Sequence, residues 1–347
     1  MVVSKSVSRK LLIAAGASLA TVGLLAGCTS GTPATDSSSG ADAPAEDETG
    51  ETVVIGFSGP AADHGWLGAI NSAAIAEAAK YPDIELKVAE GTNDANLQIS
   101  QVETFVNEGV DAIVLLPTDG AALTEAAIAA MEAGVPVVNV DREFSSPFAA
   151  RTTILGDNYG MGVSAGTYIC GELGDNPDAV VAEIAGIDSL PLTQDRSAGF
   201  ADALADCGLS VTNRVAADFT VAGGEAVTSQ LLSAAPKIDA IWNHDDDQGI
   251  GVLAAINAAG RDEFFMVGGA GSANAMREIQ SGESVLQATV IYPSTQAADG
   301  IRLARLIAQG KVMSDLVESA VPARIVLYAP VVTIDNVEEF LPTAFES

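Results

Sequence analysis

Positive charge is scarce in this sequence, where 16 Lys and Arg residues stand against 46 Asp and Glu for a formal net charge of −30 at pH 7. A field of that sign repels phosphate backbones, which excludes nucleic acid as a partner. Dispersed through a chain that is 48% hydrophobic, the acidic excess reads as the solvated face of a globular protein. Histidine is nearly absent: His64 and His244 are the only two, little general-base capacity for an enzyme. Gly56-Phe57-Ser58-Gly59 is not a complete nucleophile elbow, and Asp141 with Asp245 as a hydrolytic carboxylate pair is the weaker reading. Three cysteines without a Cys-x-x-Cys pair or a His cluster argue against a metal centre. His244 to Asp247 lacks the spaced ligands and glycine of a calcium loop, and Gly268-Gly269-Ala270-Gly271 lacks the order of a dinucleotide fingerprint. No metal and no cofactor is expected.

Long apolar runs are also missing. The most apolar stretch, Leu11 to Gly27, is 17 residues, short of the roughly 20 needed to span a bilayer. It follows Lys5, Arg9 and Lys10 and ends in Leu25-Ala26-Gly27-Cys28, the pattern of a signal peptide. The last four residues resemble the bacterial lipobox, which implies cleavage after residue 27 and a palmitate-type lipid on Cys28. Residues 28–50, rich in Ser, Thr, Gly and Pro, would then be a flexible tether reaching roughly 25 Å. The expected location is the outer face of the cytoplasmic membrane, lipid-anchored. Export places Cys170 and Cys207 in an oxidising setting, so a disulfide between them is expected.

From Glu51 the chain alternates β-branched runs with amphipathic helical stretches, the sequence form of consecutive βαβ units and a parallel sheet. Strands are expected at Val53–Phe57, Ile84–Ala89, Ala112–Leu115, Val137–Val140 and Thr153–Leu155. A second set follows at Val180–Ala185, Val211–Ala216, Ala240–Trp242, Phe265–Gly268 and Ala288–Ile291. Two similar doubly wound α/β lobes with a cleft between them are the expected architecture, and ligands in such sheets sit beyond the carboxyl ends of the strands. Polar and aromatic residues are dense there: Ser58, Asp63, His64 and Trp66; Asp141 and Arg142; Gln194 and Arg196; Asp218 and Phe219; His244 to Asp247. Carboxylates and guanidinium groups hold neighbouring hydroxyls, and aromatic faces cover sugar C–H faces. A small polyhydroxylated solute suits such a cleft.

At these residues the chain resembles the ribose-type family of periplasmic sugar-binding proteins, the solute receptors of ABC importers. Val137-Val138-Asn139-Val140-Asp141-Arg142, Asp195-Arg196-Ser197-Ala198-Gly199-Phe200, Asp218-Phe219, Gly156-Asp157-Asn158 and His64-Gly65-Trp66 carry the resemblance, which runs from about Val53 to about Val326. It implies a type I periplasmic binding fold with a three-strand hinge, a first lobe of residues 51–156 and 293–322 and a second of 157–292 and 323–347. It implies ligand contacts from Asp141, Arg142, Arg196, Phe219, Asp245, Trp66, His64, Ser58, Tyr292 and Asp246. Three departures bear on the ligand: Asp245-Asp246 where the family usually has Asn-Asp, Ala270 where many members have Asp, and Tyr292 where Gln is frequent. These favour a differently oriented pentose, a deoxy sugar or a four- to six-carbon sugar alcohol over ribose in its usual pose. The implied partners are that solute and an ABC permease, with the receptor a monomer that closes about its hinge. The rival reading delivers a sugar or autoinducer to a membrane signalling protein.

Overall fold

The computed structural model describes residues 49–174, 176–313 and 320–347; the leader, Cys28 and nearly all of the tether lie outside the described residues. Two six-stranded sheets form the body, each flanked by helices. The first contains β1 (Val53–Ser58), β2 (Ile84–Val88), β3 (Ala112–Leu115), β4 (Val137–Val140), β5 (Thr152–Gly156) and β11 (Arg324–Leu327), in the order β11-β5-β4-β3-β1-β2, all parallel. The second contains β6 (Val181–Ala185), β7 (Val211–Ala216), β8 (Ala240–Asn243), β9 (Phe265–Ala270), β10 (Leu286–Ile291) and β12 (Val331–Thr333), in the order β12-β10-β9-β8-β6-β7. Only β12 runs antiparallel to its neighbour. Central strands such as β3 and β4 are buried at every position, which is why they read as continuous apolar runs rather than alternating ones.

The connecting helices are α1 (Gly65–Ala78), α2 (Ala95–Asn107) and α3 (Gly120–Glu132) in the first lobe. In the second are α4 (Asn158–Leu173), α5 (Pro191–Asp206), α6 (Val221–Ala234), α7 (Asp246–Ala259) and α8 (Ala273–Ser281). Helix α9 (Gln296–Ala308) returns to pack on α1, β1, β3 and β4, and the short α10 (Val337–Phe340) lies near the carboxyl end. Short polar side chains start most of them: Asp94, Asp119, Asp157, Thr220, Asp245 and Ser272 each accept from a backbone N–H in the first turn. Pro191 stands at the start of α5, which carries Arg196 in its second turn.

The chain crosses between sheets after β5, after β10 and after β11. The third crossing corrects the sequence expectation. Arg324–Leu327 pairs with Thr153–Gly156 of β5 and so belongs to the first sheet; the chain changes sheets at Tyr328–Pro330, not between residues 322 and 323. A four-residue edge strand with alternating exposure carries too little apolar signal to name its partner.

Helices α4 and α5 pack backbone to backbone. A Cβ on Gly162 would lie 2.1 Å from the Arg196 carbonyl oxygen, and one on Gly199 would lie 2.1 Å from that of Tyr159. The expected disulfide closes the far end of this pair, joining Cys170 of α4 to Cys207 at the end of α5 with Cα atoms 6.1 Å apart.

Candidate functional site

Among the described residues, three that are not glycine adopt positive φ: Asp141 at 63°, Phe219 at 67° and Ala270 at 86°. Each follows or ends a strand at its carboxyl edge, and each costs about 1–2 kcal/mol relative to an ordinary conformation. Strain of this kind collects where a side chain or carbonyl must be aimed. Between these positions lies the polar cluster that the sheet rule anticipates.

Asp141 and Arg196 face one another across the crossings without touching. Asp141, 4% exposed, accepts a hydrogen bond at Oδ1 from the Tyr292 hydroxyl at 2.5 Å. That hydroxyl accepts from Asn158 Nδ2 at 3.2 Å, and Asn158 Oδ1 accepts from Arg196 Nε at 2.9 Å. Arg196 Nη1 donates to the His244 carbonyl at 3.1 Å. Its guanidinium carbon lies 4.5 Å from the Tyr292 ring centroid and 5.9 Å from that of Phe219, within cation–π range. Burial, followed by the neighbouring Asp141 carboxylate, pushes the Tyr292 phenol far up, so it remains a donor. Arg142 folds back on its own lobe, giving Nη1 to the Thr118 carbonyl at 2.7 Å, with Nε 3.8 Å from Asp141 Oδ2.

The aromatic wall comes from both sheets. Phe219 lies over Gly186, where a Cβ would fall 2.0 Å from its ring, and stacks with His64 at 6.4 Å between centroids. His64 Nδ1 is 2.7 Å from Asp63 Oδ1. Trp66 packs on Tyr292 at 5.3 Å and donates its indole N–H to the Tyr292 carbonyl at 3.1 Å.

The acidic run divides by role. Asp245 begins α7 and accepts from Gln248 N at 3.1 Å; burial, then the Asp247 and Asp246 charges, push its carboxyl well above the usual range. Asp247 accepts from Trp66 N at 2.9 Å, and burial raises it too. Asp246 is placed elsewhere than expected: its carboxylate accepts from the N–H groups of Gly269, Gly271 and Ser272 and from the Thr289 hydroxyl. It holds the loop after β9, and burial pushes it up to about 7. Ser58 is likewise consumed within the first lobe, donating to Gln101 Oε1 at 2.8 Å and accepting from Gln98 Nε2 at 3.1 Å. Neither offers a free group to a solute, which corrects the sequence expectation for both.

Two further residues take a role in the site that the sequence reading did not assign to them. Asn158 joins the clamp, its signal being its place beside the first crossing. Glu183, on the apolar strand β6, is 3.0 Å from His244 Nε2 and accepts from Ser197, tying down the loop that carries Asp245; its signal is a lone carboxylate inside an apolar strand. Burial holds the His244 imidazole down at about 4, so it stays neutral. Beside Asp141, a cavity of about 330 Å³ opens, lined by Asp141, Arg142, Gly156, Asn158, Leu190, Asp195 and Arg324 among others.

Residues 55–312 match the family model described as a periplasmic binding protein domain. The ribose import binding protein of Bacillus subtilis (strain 168) is 34% identical over 234 residues, covering 65% of this chain and 74% of that protein. A solved ABC transporter solute-binding protein from Bacillus halodurans C-125, with bound myo-inositol, superposes with a TM-score of 0.75 at 25% identity, covering 85% of this chain and 99% of that one. The fructose-binding periplasmic domain of a hybrid two-component system superposes with a TM-score of 0.73 at 26% identity, covering 84% and 93%.

Proposed function

Because the chain belongs to the periplasmic binding protein family, in its ribose-type branch, we propose that it is the extracytoplasmic solute-binding subunit of an ABC importer. Its ligand is a small neutral sugar or sugar alcohol, a pentose or a four- to six-carbon polyol, and it catalyses no reaction. What supports this reading is that Asp141 and Arg142 of the first lobe and Arg196, Phe219 and Asp245 of the second all lie at carboxyl strand edges or the helix turns beyond them, with Asp141 linked to Arg196 through Tyr292 and Asn158. A solute that touches both sets binds the closed arrangement preferentially, and so shifts the lobes toward the form a permease recognises. His64, Trp66 and Tyr292 form the wall of the cleft.

Attachment completes the proposal. Cys28 carries a diacylglycerol and palmitate-type anchor, residues 1–27 are removed, and a monomer works at the outer face of the cytoplasmic membrane on its tether. Among the described residues no helix is long and apolar enough to cross a membrane. Mass spectrometry of Cys28 in the membrane fraction tests the anchor; an unmodified Cys28 there would sink it.

Thermal-shift screening against aldopentoses, hexoses, deoxy sugars and polyols tests the ligand class. A solute at 100 times its Kd stabilises by about 2.7 kcal/mol, and the shift should vanish in Asp141→Ala. A panel with no hit removes the sugar reading. The likeness to a fructose-binding domain of a two-component system supports a second reading, delivery of a sugar or autoinducer to a signalling protein. A neighbouring sensor-kinase gene without a permease gene would favour it.

A further inference from the structure

Tyr292 ends the run of β10 into the second crossing, with its ring only 3% exposed. Nothing but glycine fits beneath it, since a Cβ on Gly156 would lie 2.0 Å from Tyr292 Cε2. Its hydroxyl gives its one proton to Asp141 and accepts from Asn158. Arg196 lies over its ring face, and Trp66 closes the remaining side. The first-lobe carboxylate and the second-lobe guanidinium that would clamp a solute therefore already share a partner from within the chain.

We infer that Tyr292 is an internal occupant of the solute site: it stands where a solute hydroxyl would bridge Asp141 and Arg196, and so sets the size of solute that the cleft admits. This rests on the solute-receptor reading above and narrows it. The cavity beside Asp141, bounded by Arg142, Leu190 and Asp195, is lined by neither Arg196 nor Phe219 and does not relieve the crowding at the phenol. A solute that keeps Asp141, Arg142 and Arg196 as partners has to fit beside that ring. A hexopyranose gripped by both Asp141 and Arg196 has to displace a buried phenol, its charge-assisted hydrogen bond and its contact with Arg196. Short acyclic polyols of four or five carbons avoid that conflict. The class admitted is thus the short polyol, and the class rejected is the six-membered ring.

The test is calorimetric titration of the intact chain with erythritol, ribitol, glucose and myo-inositol, in wild type, Tyr292→Gln and Tyr292→Phe, each first checked for a cooperative melt. Wild type should rank the acyclic polyols above the rings. Tyr292→Gln should move the ratio of ring to acyclic affinity by about tenfold or more toward the rings. Tyr292→Phe keeps the filling ring and should keep the wild-type ranking; it also serves if the Gln variant does not fold, because a ranking reversed by loss of the hydroxyl alone overturns the size argument. Rings bound by wild type as well as ribitol, or an unchanged ranking in Tyr292→Gln, also overturn it while leaving the receptor reading intact. Failure of all three proteins to bind any of the four solutes removes the receptor reading for polyols and rings, and this inference with it.

Discussion

Asp247, at the start of α7 in the second lobe, caps the first turn of α1 in the first, accepting from Trp66 N at 2.9 Å. Helix α1 has no cap of its own, because His64 at its N-cap position makes no side-chain bond to the helix. The Trp66 N–H in the first turn of α1 therefore has its side-chain partner only when the lobes are together. A missing cap costs about 0.5–2 kcal/mol, and here the cost falls on the closed arrangement. Asp247→Ala should weaken solute binding by roughly 3- to 30-fold and leave the melting of solute-free protein little changed. Titration with whichever solute the screen identifies checks this, and an unaltered Kd would refute it.

Among the groups through which acid acts on the second lobe, His244 and Asp246 oppose one another. Burial holds His244 at about 4 against an ordinary 6.5, so its contribution is fully present above 6.5 and is lost as pH falls toward 4. Asp246 is raised to about 7 from 3.8, so its contribution is present below 3.8 and is lost as pH rises through 7. The two offset one another between about pH 4 and 7, and wild-type stability should vary little from this source across that window. Removing Asp246 with Asp246→Asn takes away one of the gains that oppose the His244 loss, so the variant's deficit relative to wild type should be larger at pH 5 than at pH 7 in urea titrations. A variant whose deficit relative to wild type is the same at both values would contradict this.

The Cys170–Cys207 bond closes a loop of 37 residues, for which chain entropy gives about 4 kcal/mol and measured bonds about 2–4. It pins the ends of α4 and α5 away from Asn158 and Arg196. Cys170→Ser with Cys207→Ser should therefore lower stability by about 2–4 kcal/mol without moving solute affinity. A large loss of affinity at unchanged stability would show that the bond serves the site instead.

Helix α9 is fastened to the first lobe by a buried pair: Arg305 Nη2 donates to Asp83 Oδ2 at 2.7 Å, and both side chains are 1% exposed. The Arg305 guanidinium beside Asp83 holds that carboxyl well below the usual range. Arg305→Ala strands the carboxylate and should cost about 3–5 kcal/mol. A denaturation midpoint near that of wild type would disprove it.

Most of the fold was legible because parallel strands buried on both faces leave unbroken apolar runs; Ala112–Leu115 and Val137–Val140 begin and end where the sequence places them. Arg324–Leu327 was not, since edge strands lack that signature and pairing is decided by a partner far away in the chain. In the site, strand ends led to Asp141, Phe219 and the His244 to Asp247 run. What spacing could not reveal is where each polar group spends its hydrogen bonds. Ser58 and Asp246 are consumed inside their own lobes, and Asn158 gains its role only when two crossings come together.

The membership of β11 in the first sheet has a consequence for the order of events during synthesis. The edge of β5, in the middle of the chain, stays open until β11 has been made, and β11 follows every strand of the second sheet except β12. The first sheet therefore cannot be completed until most of the second has been synthesised.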